Sequence, residues 1–249
     1  TPMSTAARRI LRLSGADTHS FLQGLITNDV GGTKTGLVYA AMLTPQGKYM
    51  ADFFLKADGD DILLDADAAQ ADMLAQRLGM YKLRADATIT PTDLHLHRGT
   101  GDMPADAQPD PRHAALGWRA YRDVPQEGDT TDWDALYVAH MVPQSGVELT
   151  PDSFILEMGF ERLNGVDFRK GCYVGQEVTA RMKHKTELRK GLARVQVDGD
   201  AAVGTPIVAG DKPAGTLLTR AGDQALAYLR FDRATGGMEA EGASVKRID

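Results

Sequence analysis

The stretch from 170 to 177 reads Lys170-Gly171-Cys172-Tyr173-Val174-Gly175-Gln176-Glu177, and it contains the one cysteine of the chain. Two glycines flank this cysteine where a loop is predicted to meet a helix. Free backbone N–H groups and the positive end of a helix favour a thiolate over a thiol, and Arg169 and Lys170 would strengthen this effect. A thiolate is a nucleophile or a metal ligand, whereas most free cysteines are small buried hydrophobic residues. The local sequence leaves both interpretations of Cys172 open.

A basic run surrounds and follows this stretch. Residues 169–190 contain seven lysines and arginines and two glutamates, a local net charge of +5, although the whole chain has a net charge of -6. The ordinary interpretation of such a run is a solvated helix face followed by a polar turn. The net negative charge of the whole chain argues against direct nucleic-acid binding, and so does the lack of aromatic residues among the basic ones.

The composition is that of a globular protein. With 249 residues, of which 43% are hydrophobic, the chain can fill a core. We see no apolar run of the roughly 20 residues that a membrane helix needs and no cleavable signal pattern, so we expect no membrane partner and a cytoplasmic location. A single cysteine excludes an internal disulfide and cannot alone form a structural zinc site.

The first half of the chain alternates strand and helix patterns. Residues 8–13 predict a strand, and Asp17 follows as the N-cap of a helix. Residues 37–43 and 49–56 are apolar runs joined by a turn with proline and glycine, which predicts a hairpin. Residues 68–78 then show helical spacing. This order indicates an α+β fold.

The second half contains helix signals and then strand signals. Residues 131–133 predict the start of a helix, and Thr150-Pro151 predicts another. Short strands separated by glycine- and aspartate-rich turns predict a small C-terminal β domain. These predicted strands are 192–197, 206–208, 215–219 and 225–229.

Residues 170–177 resemble the signature of the YgfZ family of folate-binding proteins, whose pattern is K-G-C-[YF]-x-G-Q-E. Arg181 lies in a segment that resembles the basic continuation of that signature, although residues 185–187 depart from it. Two earlier segments are also similar to the family at its spacing. They are Gly15-Ala16-Asp17 with Phe21-Leu22-Gln23-Gly24 and Thr27-Asn28-Asp29, and then Leu43-Thr44-Pro45-Gln46-Gly47-Lys48.

The resemblance implies the architecture of the glycine cleavage T protein, an aminomethyltransferase. We therefore expect two related ferredoxin-like α+β pieces around a central opening and a C-terminal β-barrel. The expected domains are 1–98, which holds the folate; 99–188, which holds the cysteine motif; and 189–249, the barrel.

The resemblance also implies a tetrahydrofolate or other folate ligand. Trp133 stands where the family places an aromatic residue near folate, and its alternative is a core position at a helix start. Polar contacts could come from Gln23, Thr27, Asn28 and Asp29, although Asn28-Asp29 before two glycines is also typical of a simple turn. Lys48 is a candidate partner for the glutamate tail of the folate.

Three functions follow as hypotheses. The first is a folate-binding accessory protein that assembles or repairs iron–sulfur clusters, in which Cys172 is the reactive group and a ligand of a transient cluster shared with client or scaffold proteins. The second is a tetrahydrofolate-dependent one-carbon transferase, with Asp29 as the positioned carboxylate. The third is a tRNA-binding module, against which the charge distribution argues; an effect on tRNA modification would then be indirect, through a cluster-containing enzyme. The sequence leaves open whether the chain is an enzyme.

The pair His95 and His97 has the spacing of metal ligands on a strand. The sequence offers no third ligand nearby, and we expect an exposed strand face instead of a metal site.

Overall fold

The computed structural model describes residues 7–185 and 187–249. They form fourteen strands and four α-helices, with two short 3₁₀ helices at Val30–Lys34 and Ala114–Leu116. The strands are β1 Arg8–Ser14, β2 Val38–Leu43, β3 Tyr49–Asp58, β4 Asp61–Asp67, β5 Thr88–Pro91, β6 His95–Gly99, β7 Gln108–Pro109, β8 Trp118–Arg122, β9 Lys190–Asp198, β10 Pro206–Ala209, β11 Lys212–Ala221, β12 Gln224–Arg230, β13 Met238–Ala240 and β14 Ala243–Arg247. The helices are α1 Thr18–Gln23, α2 Ala68–Lys82, α3 Trp133–Ala139 and α4 Gln176–His184.

The first sheet is antiparallel, with strand order β2-β3-β4-β1-β5. Its strands alternate, so that one face carries side chains such as Leu11, Phe53 and Leu64. These pack with Leu22 of α1 and Leu74 of α2 in one hydrophobic core. The predicted hairpin is confirmed as β2 and β3, and the helix predicted at 68–78 is α2.

The opposite face of this sheet carries a buried ionic cluster. Asp65, of which 1% is exposed, accepts hydrogen bonds from Arg8 Nε at 2.7 Å, Arg119 Nη2 at 2.6 Å and Tyr121 Oη at 2.9 Å. Burial on its own would raise the pKa of Asp65, but the charges of Arg8 and Arg119 outweigh it and lower that pKa to about 2. The Arg119 guanidinium also lies over the Phe54 ring, 3.9 Å from its centroid. The cluster therefore joins β1 and β4 to β8.

The C-terminal strands form a closed barrel with strand order β10-β11-β12-β9-β14-β13. Its interior consists of small and branched apolar side chains, among them Val195, Leu217 and Val245, which are fully buried. Closure pairs every strand with two neighbours and removes free sheet edges. The predicted β domain is confirmed as this barrel.

The chain divides into two compact units. The smaller unit consists of Asp132–Phe160 and Thr179–Asp249, and the larger unit consists of 7–131 and Glu161–Val178. The predicted boundaries at 98 and 188 stay a prediction, and the first predicted piece includes residues 1–6, which lie outside the described residues.

The helix predicted at Thr150-Pro151 is wrong, because the segment forms turns. Ser153 N donates to Thr150 O at 2.9 Å, and Ser153 Oγ accepts from Thr150 N at 3.0 Å. These local side-chain bonds compete with helical bonding. No helix in the described ranges combines the length and apolar character needed to cross a membrane.

Candidate functional site

Cys172 lies on an exposed loop that leads into α4. Both Gly171 and Cys172 are exposed, and α4 begins four residues after the cysteine, at Gln176. The predicted loop-to-helix junction is confirmed. The interpretation of Cys172 as a buried hydrophobic residue is wrong, because the thiol is accessible.

Lys170 precedes the loop and is buried. Its Nζ donates to Gln23 O at 2.8 Å and to Ile26 O at 2.5 Å, and it lies 4.9 Å from the centroid of the Tyr173 ring. Burial lowers the pKa of Lys170 to about 8, against the opposing charges of Asp29 and Asp167. This lysine therefore satisfies carbonyls at the end of α1 instead of facing solvent.

The second half of the motif packs on the turn between β2 and β3. Gly175 has φ +84°, and a Cβ at this position would lie 2.6 Å from Thr44 O. Gly47, with φ +78°, would place a Cβ 2.7 Å from Val178 Cβ. Both glycines are needed for this close approach of two backbones. The structure thus brings together two segments that the sequence singled out.

The segment 23–29 also contacts the stretch that precedes the cysteine. Thr27 Oγ1 donates to Gly165 O at 2.7 Å, and Asn28 Nδ2 donates to Asn164 O at 2.8 Å. Thr27 O accepts from Asp167 N at 2.9 Å. The three predicted motifs therefore lie together in the larger unit.

Most polar groups of the predicted folate set bind the protein itself. Gln23 Oε1 accepts from Val30 N at 2.9 Å, and Gln23 Nε2 donates to Asp29 Oδ1 at 3.1 Å. Thr27 is fully buried, and Asn28 Nδ2 donates to two carbonyls. Both hydrogen bonds that the Asp29 carboxylate accepts within the described residues, from Gln23 Nε2 and Gly31 N, end on Oδ1, which leaves Oδ2 open to a ligand. Asp29 could accept hydrogen bonds from the pterin edge of a folate, and of the other three side chains those of Gln23 and Asn28 bond to Asp29 directly.

Lys48 is half-buried beside the turn between β2 and β3, and its backbone N donates to Thr44 Oγ1 at 3.1 Å.

Trp133 belongs to the smaller unit, where it begins α3 after the N-cap Asp132. It is 7% exposed, and its ring centroid lies 6.3 Å from that of Tyr137. Its burial fits the core interpretation, and its role toward folate stays a prediction.

The basic run is exposed at most of its charged positions. Arg169, Arg181 and Lys183 are exposed, as is Glu177 of the motif, whereas Gln176 is half-buried. A solvated helix face is therefore the better description of α4.

No group of three or more candidate metal ligands occurs within the described part of the chain. His95 is exposed as expected, but His97 is 8% exposed, and its Nε2 lies 2.6 Å from Val124 O. The expected exposed face is thus wrong for His97, because a backbone carbonyl satisfies its ring.

Sequence reasoning missed Asn164 and Asp167, which hold the approach to the cysteine. Asn164 has φ +57°, and its carbonyl accepts from Asn28. An Asn-Gly pair is a known turn signal, so the pair 164–165 could have been found. Asp167 gave no signal, because its backbone N–H bonds to Thr27 O and its carboxylate accepts from the backbone N of Arg169, and neither contact is marked by a motif.

Comparison by sequence gives one matching family model and several relatives. Residues 189–248 match the family model of the CAF17 C-terminal beta-barrel domain. The chain is 29% identical to the iron–sulfur cluster assembly factor IBA57, mitochondrial, of Mus musculus, over 92% of this chain and 77% of that protein. It is 34% identical to the IBA57 homolog, mitochondrial, of Mycosarcoma maydis, over 74% of this chain and 54% of that protein.

The fold is that of glycine cleavage system aminomethyltransferase T from Bartonella henselae, with a TM-score of 0.74 and 12% identity, covering 98% of this chain and 83% of that one. The expected α+β fold with a C-terminal barrel is confirmed. The relatives are named mitochondrial proteins, and this contradicts the expected cytoplasmic location. These relatives of the chain are therefore named iron–sulfur cluster assembly factors, and the chain itself has the fold of the glycine cleavage aminomethyltransferase.

Proposed function

We propose that this protein assists the assembly or repair of iron–sulfur clusters in client proteins, with Cys172 as its reactive group. The observation that carries the proposal is the exposed thiol on a loop whose two sides are hydrogen-bonded to the carboxyl end of α1, at Gln23 and at Gly24 just after it. The homologues named as cluster assembly factors support it.

The cluster is cargo in this proposal. Iron–sulfur clusters are held by about four thiolates, and this chain has one cysteine. The remaining ligands come from a client, a scaffold protein or a small thiol, so the bound state is shared and transient.

A folate is the proposed small-molecule ligand. Asp29 would accept hydrogen bonds from its pterin edge, and Lys48 would pair with its glutamate tail. Trp133, which belongs to the smaller unit, is a separate candidate that the titration below tests. A reduced folate carries a one-carbon unit. In the proposed function the bound folate orders the segment 23–29.

Cluster uptake tests the first proposal. A glutathione-ligated [2Fe–2S] complex is mixed anaerobically with the native chain, Cys172→Ser and Lys185→Met, and protein-bound cluster is measured by visible absorption after gel filtration. We expect uptake by the native chain and by Lys185→Met, which removes an exposed charge after α4, and none by Cys172→Ser. Equal uptake by all three would show that the thiol is not a ligand.

Ligand titration tests the folate proposal. Tetrahydrofolate is added to the native chain, Asp29→Asn, Trp133→Phe and Trp118→Phe, and tryptophan fluorescence reports binding. Losing a charged hydrogen-bond acceptor should weaken binding by about tenfold or more in Asp29→Asn. Trp118→Phe, which removes the other tryptophan, should retain the quenching, and Trp133→Phe should lose it. Quenching that persists in Trp133→Phe would remove this residue from the site.

The open oxygen of Asp29 also supports a second candidate, a tetrahydrofolate-dependent one-carbon transferase like the aminomethyltransferases. A positioned carboxylate could manage a proton during transfer. The assay measures methylene-tetrahydrofolate formed from an aminomethyl-loaded carrier protein. Turnover lost in Asp29→Asn but kept in Cys172→Ser would favour the transferase over the cluster factor.

A further inference from the structure

The exposed thiol lies between two attachments to the same short helix end. On one side, Lys170 Nζ donates to Gln23 O at 2.8 Å and to Ile26 O at 2.5 Å. On the other side, Val174 N donates to Gly24 O at 3.3 Å. The residues between these attachments are Gly171, Cys172 and Tyr173, of which only Tyr173 is buried. The position of the thiol therefore depends on the end of α1.

Lys170 is the stronger of these attachments. A buried ammonium that donates to two carbonyls makes charge-assisted hydrogen bonds, and its contact with the Tyr173 ring adds a cation–π interaction on the far side of the cysteine. A solvated lysine would have none of these features.

We infer that Lys170 is a positioning residue that holds the Cys172 thiol in place by joining its loop to the carboxyl end of α1. The inference rests on the proposed function for its purpose, since a cluster shared between two proteins needs a thiolate at a fixed position. It also links the thiol to the segment 23–29, because the two carbonyls that bind Lys170 belong to that segment.

The test labels Cys172, the one cysteine of the chain, with a nitroxide and records its electron paramagnetic resonance line shape. Lys170→Met removes the ammonium and keeps an apolar side chain of similar length. Arg169→Met is the matched control, because it removes a positive charge from the neighbouring exposed residue. Lys170→Arg keeps the charge and the donors.

We expect a broad, restricted line shape in the native chain and in Arg169→Met, and a sharp, mobile one in Lys170→Met. Lys170→Arg should restore part of the restriction. The amide of Val174 should exchange with deuterium about tenfold faster in Lys170→Met, as expected when hydrogen bonds to a charged group are lost. An unchanged line shape in Lys170→Met, or equal sharpening in Arg169→Met, would overturn the inference.

If Lys170→Met does not fold, hydrogen exchange in the native chain tests whether Lys170 joins the two segments. The amides of Asp167 and Val174 should then open together with that of Ile26, with one common protection factor, since the lysine joins these segments. Independent opening would overturn the inference. Failure of the proposed function is separate, because a chain that takes up no cluster can still show the predicted change in label mobility.

Discussion

The barrel and the cysteine loop are held in place by different kinds of interaction. In the barrel, neighbouring strands satisfy one another's backbone groups around a closed ring, and the interior is filled by many small apolar side chains. In the loop, single groups such as Lys170 Nζ and Asp167 N hold irregular backbone. A single substitution in the barrel therefore removes a small share of the contacts that stabilise it. A single substitution in the loop removes a large share of the contacts that hold the loop in place.

The buried carboxylate of Asp65 should give the largest effect on stability. Asp65→Asn removes the carboxylate that Arg8 and Arg119 share and leaves Arg119 only the carboxylate of Asp110 at 3.6 Å, and breaking a buried pair typically costs about 3–5 kcal/mol. Chemical denaturation followed by circular dichroism measures the change. A loss below about 1 kcal/mol would mean that the cluster relaxes or admits water.

The same group predicts an acid dependence. The folded pKa of Asp65 is lowered from its ordinary value of 3.8 to about 2, so its contribution is complete above pH 3.8 and is lost as the pH falls through 2. Denaturation of the native chain and of Asp65→Asn across this range should show their stabilities converging at low pH. A constant difference would contradict the assignment.

Two glycines compare the regions directly. Gly175 at the cysteine motif and Gly210 between β10 and β11 have φ +84° and +64°, but only Gly175 would bring a Cβ against another backbone, at 2.6 Å from Thr44 O. Gly210→Ala should cost about 1 kcal/mol of backbone strain, and Gly175→Ala about 2–3 kcal/mol because the clash adds to it. Equal losses in thermal denaturation would show that the turn at 44–47 yields.

Lys170 predicts a smaller, alkaline effect. The pKa of Lys170 is about 8 in the folded state and 10.5 in the unfolded state, so between these pH values the lysine is protonated mainly in the unfolded state. The free energy of unfolding should therefore increase as the pH rises from 8 to 10.5. Urea denaturation of the native chain should show this gain relative to Lys170→Met. A parallel pH dependence in the two proteins would mean that the ammonium is not desolvated.

Cys172→Ser should give the smallest change in stability, within about 0.5 kcal/mol, because the side chain is exposed. Its loss of cluster uptake would then separate function from folding. A large destabilisation would instead indicate that the thiol has a structural partner.

The same contrast explains which features could be predicted. Strands of the barrel and the β2–β3 hairpin follow from alternation and turn residues, which act locally. The sequence identified the loop only through its motif. It did not identify the attachments of the loop, because Lys170 binds backbone carbonyls about 145 residues away in the chain. Every residue has such a carbonyl, so the sequence does not mark the partner. The turns at 150–153 were missed because the side chains of Thr150 and Ser153 bond to nearby backbone.

The interleaving of the two units along the chain also bears on biosynthesis. The larger unit receives Glu161–Val178 only after Asp132–Phe160 of the smaller unit has been made. During translation, the segment 23–29 is therefore synthesised long before its hydrogen-bonding partners Asn164, Asp167 and Lys170. A nascent chain that ends before residue 161 lacks the lysine that binds the carbonyls of Gln23 and Ile26, so the segment 23–29 is incompletely hydrogen-bonded at that stage.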